Sequence, residues 1–283
     1  MNFRTEISVP RAPFEISHGD GIVMLGSCFT DEVGALLDRD GFMVTHNPMG
    51  PLYNPESVLR CLRDAVMGRR RDDYVIGPDA KVHCLSYATR FTADDEYALD
   101  SRVDEALDPF ADFLYEQATT LIVTLGSAYV YYRADTGAAV GNCHKFPASF
   151  FKRERLSVDR TADAIGEILS IIPETITKVI FTVSPIRHTA DGLHANQLSK
   201  ATLLLAIDSI DDPRVTYFPA YETLLDDLRD YRFYAADMKH PSDVAVEYIY
   251  ELFSNTYFNS DTKAEAQRER RLWLSARHRP NVT

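Results

Sequence analysis

Long hydrophobic runs are missing from this 283-residue chain. No stretch approaches the ~20 apolar residues of a membrane-spanning helix. The segment Met1-Asn2-Phe3-Arg4-Thr5-Glu6 lacks a basic region followed by an apolar one, so no signal peptide is expected. A soluble, cytoplasmic protein with no membrane partner is the expectation. Cysteine is scarce: Cys28, Cys61, Cys84 and Cys143 are the only four, and no two form a C-x-x-C pair. That excludes zinc-ribbon and thioredoxin motifs and argues against a disulfide framework, so free thiols in a reducing compartment are expected. Positive charge is in deficit, with 30 Lys and Arg against 42 Asp and Glu, for a formal net charge of -12. Such a surface repels phosphate backbones and disfavours a nucleic-acid partner. Eight histidines are present, but none in an H-x-x-x-H spacing. No metal and no tightly bound cofactor is implied. Internal repeats and low-complexity linkers are also absent. Nothing in the sequence speaks to oligomeric state.

The remaining composition, 45% hydrophobic and 25% charged, is that of a globular domain long enough to bury a sizeable core. Three short apolar runs read as buried strands. They are Gly21-Ile22-Val23-Met24-Leu25-Gly26, Thr120-Leu121-Ile122-Val123-Thr124-Leu125-Gly126 and Lys178-Val179-Ile180-Phe181-Thr182-Val183. Shorter strands are expected near Phe42 to Thr45 and Arg214 to Phe218. Between them lie helical patterns at about Asp31–Asp40, from Asn54-Pro55 onward, Val103–Ala118, Thr161–Ile172, Gly192–Ile207 and Val244–Phe258. Apolar strands alternating with helices predict a three-layer α/β/α sandwich with a mostly parallel sheet. The expected organisation is one domain over 1–258, with an irregular insertion near 68–100, and a charged tail over 259–283.

In such sheets ligands gather at the carboxyl ends of the strands. The polar residues there are Ser27 and Cys28, Ser127, and the run Ser184 to His188. Gly26 lets the chain turn tightly out of its strand and places the next residues at a helix N-terminus. Outward backbone N–H groups and the helix dipole favour negative charge at that place. A thiolate at Cys28 is therefore a competent nucleophile, and a neighbouring N–H can hold an oxyanion. Far along the chain, Asp237 and His240 are three residues apart on a turn, followed by Pro241 and the N-cap candidate Ser242. That spacing lets the carboxylate orient the imidazole as a general base.

Gly26-Ser27-Cys28-Phe29-Thr30 and Asp237-Met238-Lys239-His240 together resemble the SGNH hydrolases, which open with Gly-Asp-Ser after the first strand and close with Asp-x-x-His. The first segment is still more similar to the GSCFA family, named for that motif. Asn47-Pro48-Met49-Gly50, Asn142-Cys143-His144-Lys145 and Ser184-Pro185-Ile186-Arg187-His188 look like that family too. The resemblance spans roughly Val9 to Phe258. It implies an SGNH-like fold, and its register sets Cys28 in the nucleophile position and Ser27 in that of the aspartate. Either Cys28 or Ser27 remains a candidate nucleophile. The resemblance also implies Gly50 as an oxyanion donor. The superfamily's oxyanion asparagine falls on Ala128, so Asn142 or the Ser127 hydroxyl is the candidate replacement.

Ser127, Arg187, His188 and His144 are candidates for contacting substrate. The helix Gly192–Ile207, with Asn196, Ser199 and Lys200, reads as structural. Tyr231, Phe233 and Tyr234 read as core aromatics, and Arg268-Glu269-Arg270-Arg271 as a solvated face. The expected activity is hydrolysis or transfer of a small acyl group on a hydroxylated substrate, such as a carbohydrate ester. Two other readings stand beside it. One is an O-acyltransferase using an acyl-CoA donor. The other is a carbohydrate-binding protein that has lost the chemistry.

Overall fold

Gly21–Gly26 (β1) is buried along its whole length. Its side chains alternate between two cores, as the two-residue period of a strand requires. Val23 and Leu25 enter one apolar cluster, Ile22 and Met24 the other. A strand with an apolar layer on each face must be central, and β1 is. The computed structural model describes residues 4–69 and 71–277. In it β1 lies between Met43–His46 (β2) and Ala118–Leu125 (β3), followed outward by Lys178–Val183 (β4) and Val215–Phe218 (β5). The order is β5-β4-β3-β1-β2, and every pairing is parallel. The sheet order reverses between β1 and β3, and a crevice at the carboxyl ends follows from that reversal.

Helices cover both faces. Cys28–Arg39 (α1) follows β1. Pro55–Met67 (α2), Glu96–Glu116 (α3), Val158–Ile171 (α4) and Gly192–Asp208 (α5) come next, then Asp243–Tyr257 (α6) and Ser260–Arg277 (α7). The cluster holding Val23 gathers residues of α2 to α5, and that holding Ile22 gathers residues of α1, α6 and α7. This is the expected three-layer sandwich. Helix α3 begins earlier than its apolar spacing suggests, because Asp95 caps it by accepting the Ala98 N–H at 2.8 Å. The stretch 68–100 contains a small antiparallel ribbon of Tyr74–Ile76, Val82–Cys84 and Thr92–Ala93. A second ribbon, Ala139–Val140, Tyr129–Arg133 and Phe151–Arg155, rises beyond the end of β3.

The charged segment after Asn259 is helix α7, and its basic run is only partly solvated. Arg270 donates to Asp40, which is 1% exposed and also accepts from Tyr250. Burial would raise the Asp40 carboxyl, but the hydrogen bonds from Arg270 and Arg39 outweigh it and hold the carboxyl low. All four cysteines are free. No helix among the described residues is long and apolar enough to cross a membrane.

Candidate active site

The turn out of β1 is fixed by hydrogen bonds. Gly26 has φ +145°, and a Cβ there would lie 2.2 Å from the Thr124 carbonyl oxygen, so only glycine fits. The Gly26 N–H donates to Asn47 Oδ1 at 2.9 Å, and Asn47 Nδ2 donates to the Ser27 carbonyl at 3.2 Å. The Ser27 N–H donates to Thr124 at 3.0 Å. Ser27 occupies the N-cap position of α1 without a side-chain capping bond, and Cys28 is the first residue of the helix. The Cys28 N–H has no acceptor among the described residues, as expected of a first-turn N–H.

Cys28 opens onto a pocket of about 540 Å³ at the carboxyl ends of β1, β3 and β4. Its Sγ lies 3.1 Å from the Tyr53 hydroxyl. Burial, and then the Cys28 thiol itself, hold the Tyr53 phenol above its usual range, so it stays a donor. Ser27 is 1% exposed and its hydroxyl donates to Ser184 at 2.9 Å. A second thiol on the wall, Cys143, is pushed up to about 11 by burial and stays protonated.

His240 lines the same pocket. Its Nδ1 is 2.5 Å from Asp237 Oδ2, while Asp237 Oδ1 accepts the N–H groups of Lys239 at 2.9 Å and His240 at 3.0 Å. Met238, between them, takes φ +59° to close this turn. These donors, the backbone N–H of His240 first, hold the Asp237 carboxyl well below the usual carboxylate range. With Nδ1–H given to Asp237, Nε2 is the free base nitrogen. Ser242 caps α6 behind the loop by accepting the Ala245 N–H. No hydrogen bond joins His240 to Cys28, and the thiol's partner is Tyr53.

Asn142, Ser127, Arg187 and His188 also line the pocket. Asn142 Oδ1 accepts the His144 N–H at 2.9 Å, which leaves its NH2 end as a donor. Asn54 is built alike: its Oδ1 caps α2 through the Ser57 N–H at 2.9 Å, and the residue lines the pocket.

Gly50 and His144 are corrections. Gly50 does not line the pocket, and its N–H donates to the Asn47 carbonyl at 2.8 Å, so it cannot serve an oxyanion. Its φ of +86° suits a turn, and a Cβ would strike Ala88. His144 is 5% exposed and lies behind the wall, with Nε2 2.9 Å from the Tyr87 carbonyl and Nδ1 beside His83.

Helix α5 is structural, as expected, and it braces the back of the pocket. Ser199 accepts the Ala128 N–H at 2.8 Å, and Asn196 accepts the His188 N–H at 2.9 Å. Lys200, 1% exposed, donates to the carbonyls of Gly126 and Ser184, each at 2.7 Å. It ties the ends of β3 and β4 together behind the pocket. Burial pulls its ammonium down to about 7. The aromatics near residue 233 divide: Tyr234 is buried, but Tyr231 is exposed. Reading outward from each strand end would have reached Tyr53 and Asn54. No sequence signal marks Arg153, which the second ribbon carries to the pocket. No cluster of three or more His, Cys, Asp or Glu placed to hold a metal occurs among the described residues.

The GSCFA family model matches residues 21–253, and the chain belongs to that family. A similar solved structure is a carbohydrate esterase family 3 protein from Talaromyces cellulolyticus. It is 8% identical, with 83% of this chain and 95% of that chain covered and a TM-score of 0.39. No curated protein matches.

Proposed function

We propose that this GSCFA-family chain cleaves an acyl ester by hydrolysis or by transfer to a hydroxyl, with Cys28 as nucleophile, His240 as base and Asp237 as its orienting carboxylate. One observation carries the reading. A thiol at a helix N-terminus and an imidazole held by a carboxylate open onto one pocket. Burial of Ser27 and its bond to Ser184 favour Cys28 over Ser27.

In this mechanism His240 Nε2 takes the thiol proton as Sγ bonds to the acyl carbon. The oxyanion is held by the Cys28 N–H and by the amides of Asn142 and Asn54. Collapse expels the alcohol oxygen, which receives the proton from His240 and leaves Cys28 as a thioester. Water or an acceptor hydroxyl then gives its proton to His240 and attacks the thioester. The thiolate departs and recovers its proton. The hydroxyls and phenols of Ser127, Tyr129 and Tyr131 on the wall suit a hydroxylated substrate, such as a small-acyl carbohydrate ester.

The test is peptide-mapped mass spectrometry after a brief reaction with p-nitrophenyl acetate, or with acetyl-CoA, quenched in acid. An acetyl group on Cys28 that disappears in His240→Ala is the expected result. The same label on Ser27 would reverse the choice of nucleophile. Absence of any His240-dependent label with both donors would overturn small-acyl chemistry. Donor turnover that depends on an added alcohol would assign transfer.

A further inference from the structure

The chain has 42 acidic side chains against 30 basic ones, yet no Asp or Glu lines the pocket. Arg153, Arg187 and Lys239 do. Their charges are not equivalent. Arg153 is paired from behind with Asp191 and donates to His188 Nε2 at 2.9 Å. Asp237 is likewise committed to His240. Neither Arg187 nor Lys239 forms an ion pair among the described residues. Arg187 and Lys239 are therefore the two wall cations with no carboxylate at ion-pair distance among the described residues.

Arg187 is preset for an anion. Its guanidinium lies 4.0 Å from the Tyr234 ring centroid and 5.2 Å from that of Tyr231. The two rings hold the guanidinium in place, Tyr234 also taking a hydrogen bond from it, and Arg187 still lines the Cys28 pocket, where its remaining N–H groups can meet an anion. The Arg187 N–H donates to the Lys239 carbonyl at 3.1 Å, which fixes the two cations on neighbouring backbone. Burial first, then Arg153, with Lys200 and Lys239 as minor causes, hold the His188 imidazole below its usual range against the pull of Asp191.

Direction follows from His240. In the reading proposed above, on which this inference rests, His240 returns its proton to the departing alcohol oxygen. Lys239 adjoins His240 in the chain and lines the same pocket as Arg187, which is the ground for assigning both cations to the alcohol half of the ester.

We infer that the preferred substrate carries a carboxylate or phosphate on its alcohol half, bound by Arg187 and Lys239 while the acyl carbonyl sits at Cys28. A hydroxyl group offers these cations no charge to pair with, whereas a carboxylate or phosphate accepts charge-assisted hydrogen bonds from them.

The experiment compares p-acetoxybenzoate, p-acetoxyphenyl phosphate and neutral p-acetoxybenzamide, each kcat/KM divided by the spontaneous hydrolysis rate. At least one anion is expected to exceed the amide by about tenfold or more, from one or two charge-assisted hydrogen bonds. The ranking of carboxylate against phosphate identifies which anion the site takes. Arg187→Gln and Lys239→Gln should each shrink that ratio, and the double variant should bring it near one. An amide used as well as both anions, or a preference that survives the double variant, would overturn the inference. Should no ester turn over, the esterase reading fails, and binding decides this one separately. Calorimetry of His240→Ala with p-hydroxybenzoate and p-hydroxyphenyl phosphate should then show tighter binding than with p-hydroxybenzamide, lost on removing both cations. Equal binding of all three would overturn it.

Discussion

The Cys28 thiol and the Tyr53 hydroxyl lie 3.1 Å apart at the mouth of α1, and the phenol keeps its proton. When the thiol ionises, Tyr53 donates to the sulfur, and a hydrogen bond to a charged group contributes about 1.5–3 kcal/mol. Tyr53→Phe should therefore slow alkylation of Cys28 by iodoacetamide about tenfold or more near neutral pH, with little change in Tm. An unchanged alkylation rate would show that Tyr53 does not support the thiolate.

In the proposed mechanism the amides of Asn142 and Asn54 both serve the oxyanion, and aspartate tests each in turn. Asn142→Asp keeps the acceptor for the His144 N–H, and Asn54→Asp keeps the α2 cap, but each loses its NH2 donor. Each substitution should lower kcat by about 100- to 1000-fold while leaving Tm nearly unchanged. A variant with normal kcat would remove that residue from the oxyanion site.

Asp237 is held by two backbone N–H groups and the imidazole, so its carboxyl stays ionised even in mildly acidic solution. An acid limb in the pH–rate profile is therefore not its titration. Asp237→Asn keeps an oxygen for the backbone donors but presents an NH2 to His240 Nδ1, which forces the wrong tautomer. A loss of about 10⁴-fold in kcat/KM is expected, with folding intact by circular dichroism. A loss of only a few-fold would argue that Asp237 merely shapes the turn.

Lys200 gives a stability signature. Its ordinary value is 10.5, and burial brings the folded value to about 7. Between these values the unfolded chain binds a proton that the folded chain does not. The Lys200 contribution to stability therefore rises with pH across that window and is flat below it. Urea midpoints measured at the two ends of the window should show this rise in the wild type and a smaller one in Lys200→Met. Identical slopes would place the Lys200 titration elsewhere.

How far the sequence reveals this site depends on whether a residue acts locally or at a distance. Gly26, Ser27 and Cys28 follow an apolar run, and Asp237 and His240 share one turn, so their positions are visible in short spacings. Five strands and the main helices are visible for the same reason. Lys200 hides because helix α5 buries polar side chains while Leu193, Leu198 and Leu205 are exposed, and because its partners are carbonyls of β3 and β4 that carry no side-chain signature. Arg153 hides because ribbon geometry, not spacing, sets it over Tyr129. Gly50 misleads because a left-handed turn and an oxyanion hole both call for glycine, and only the bond to Asn47 tells them apart.

The thiol belongs to the first strand–helix unit of the sheet, whereas the imidazole enters with the loop before α6, closed by the bond from Arg187 to Lys239. The two halves of the pocket are therefore far apart in sequence and near in space. A domain folds as a unit, so the pocket exists only when the first strand–helix unit and the loop before α6 are both in place. Local unfolding at either end would open it.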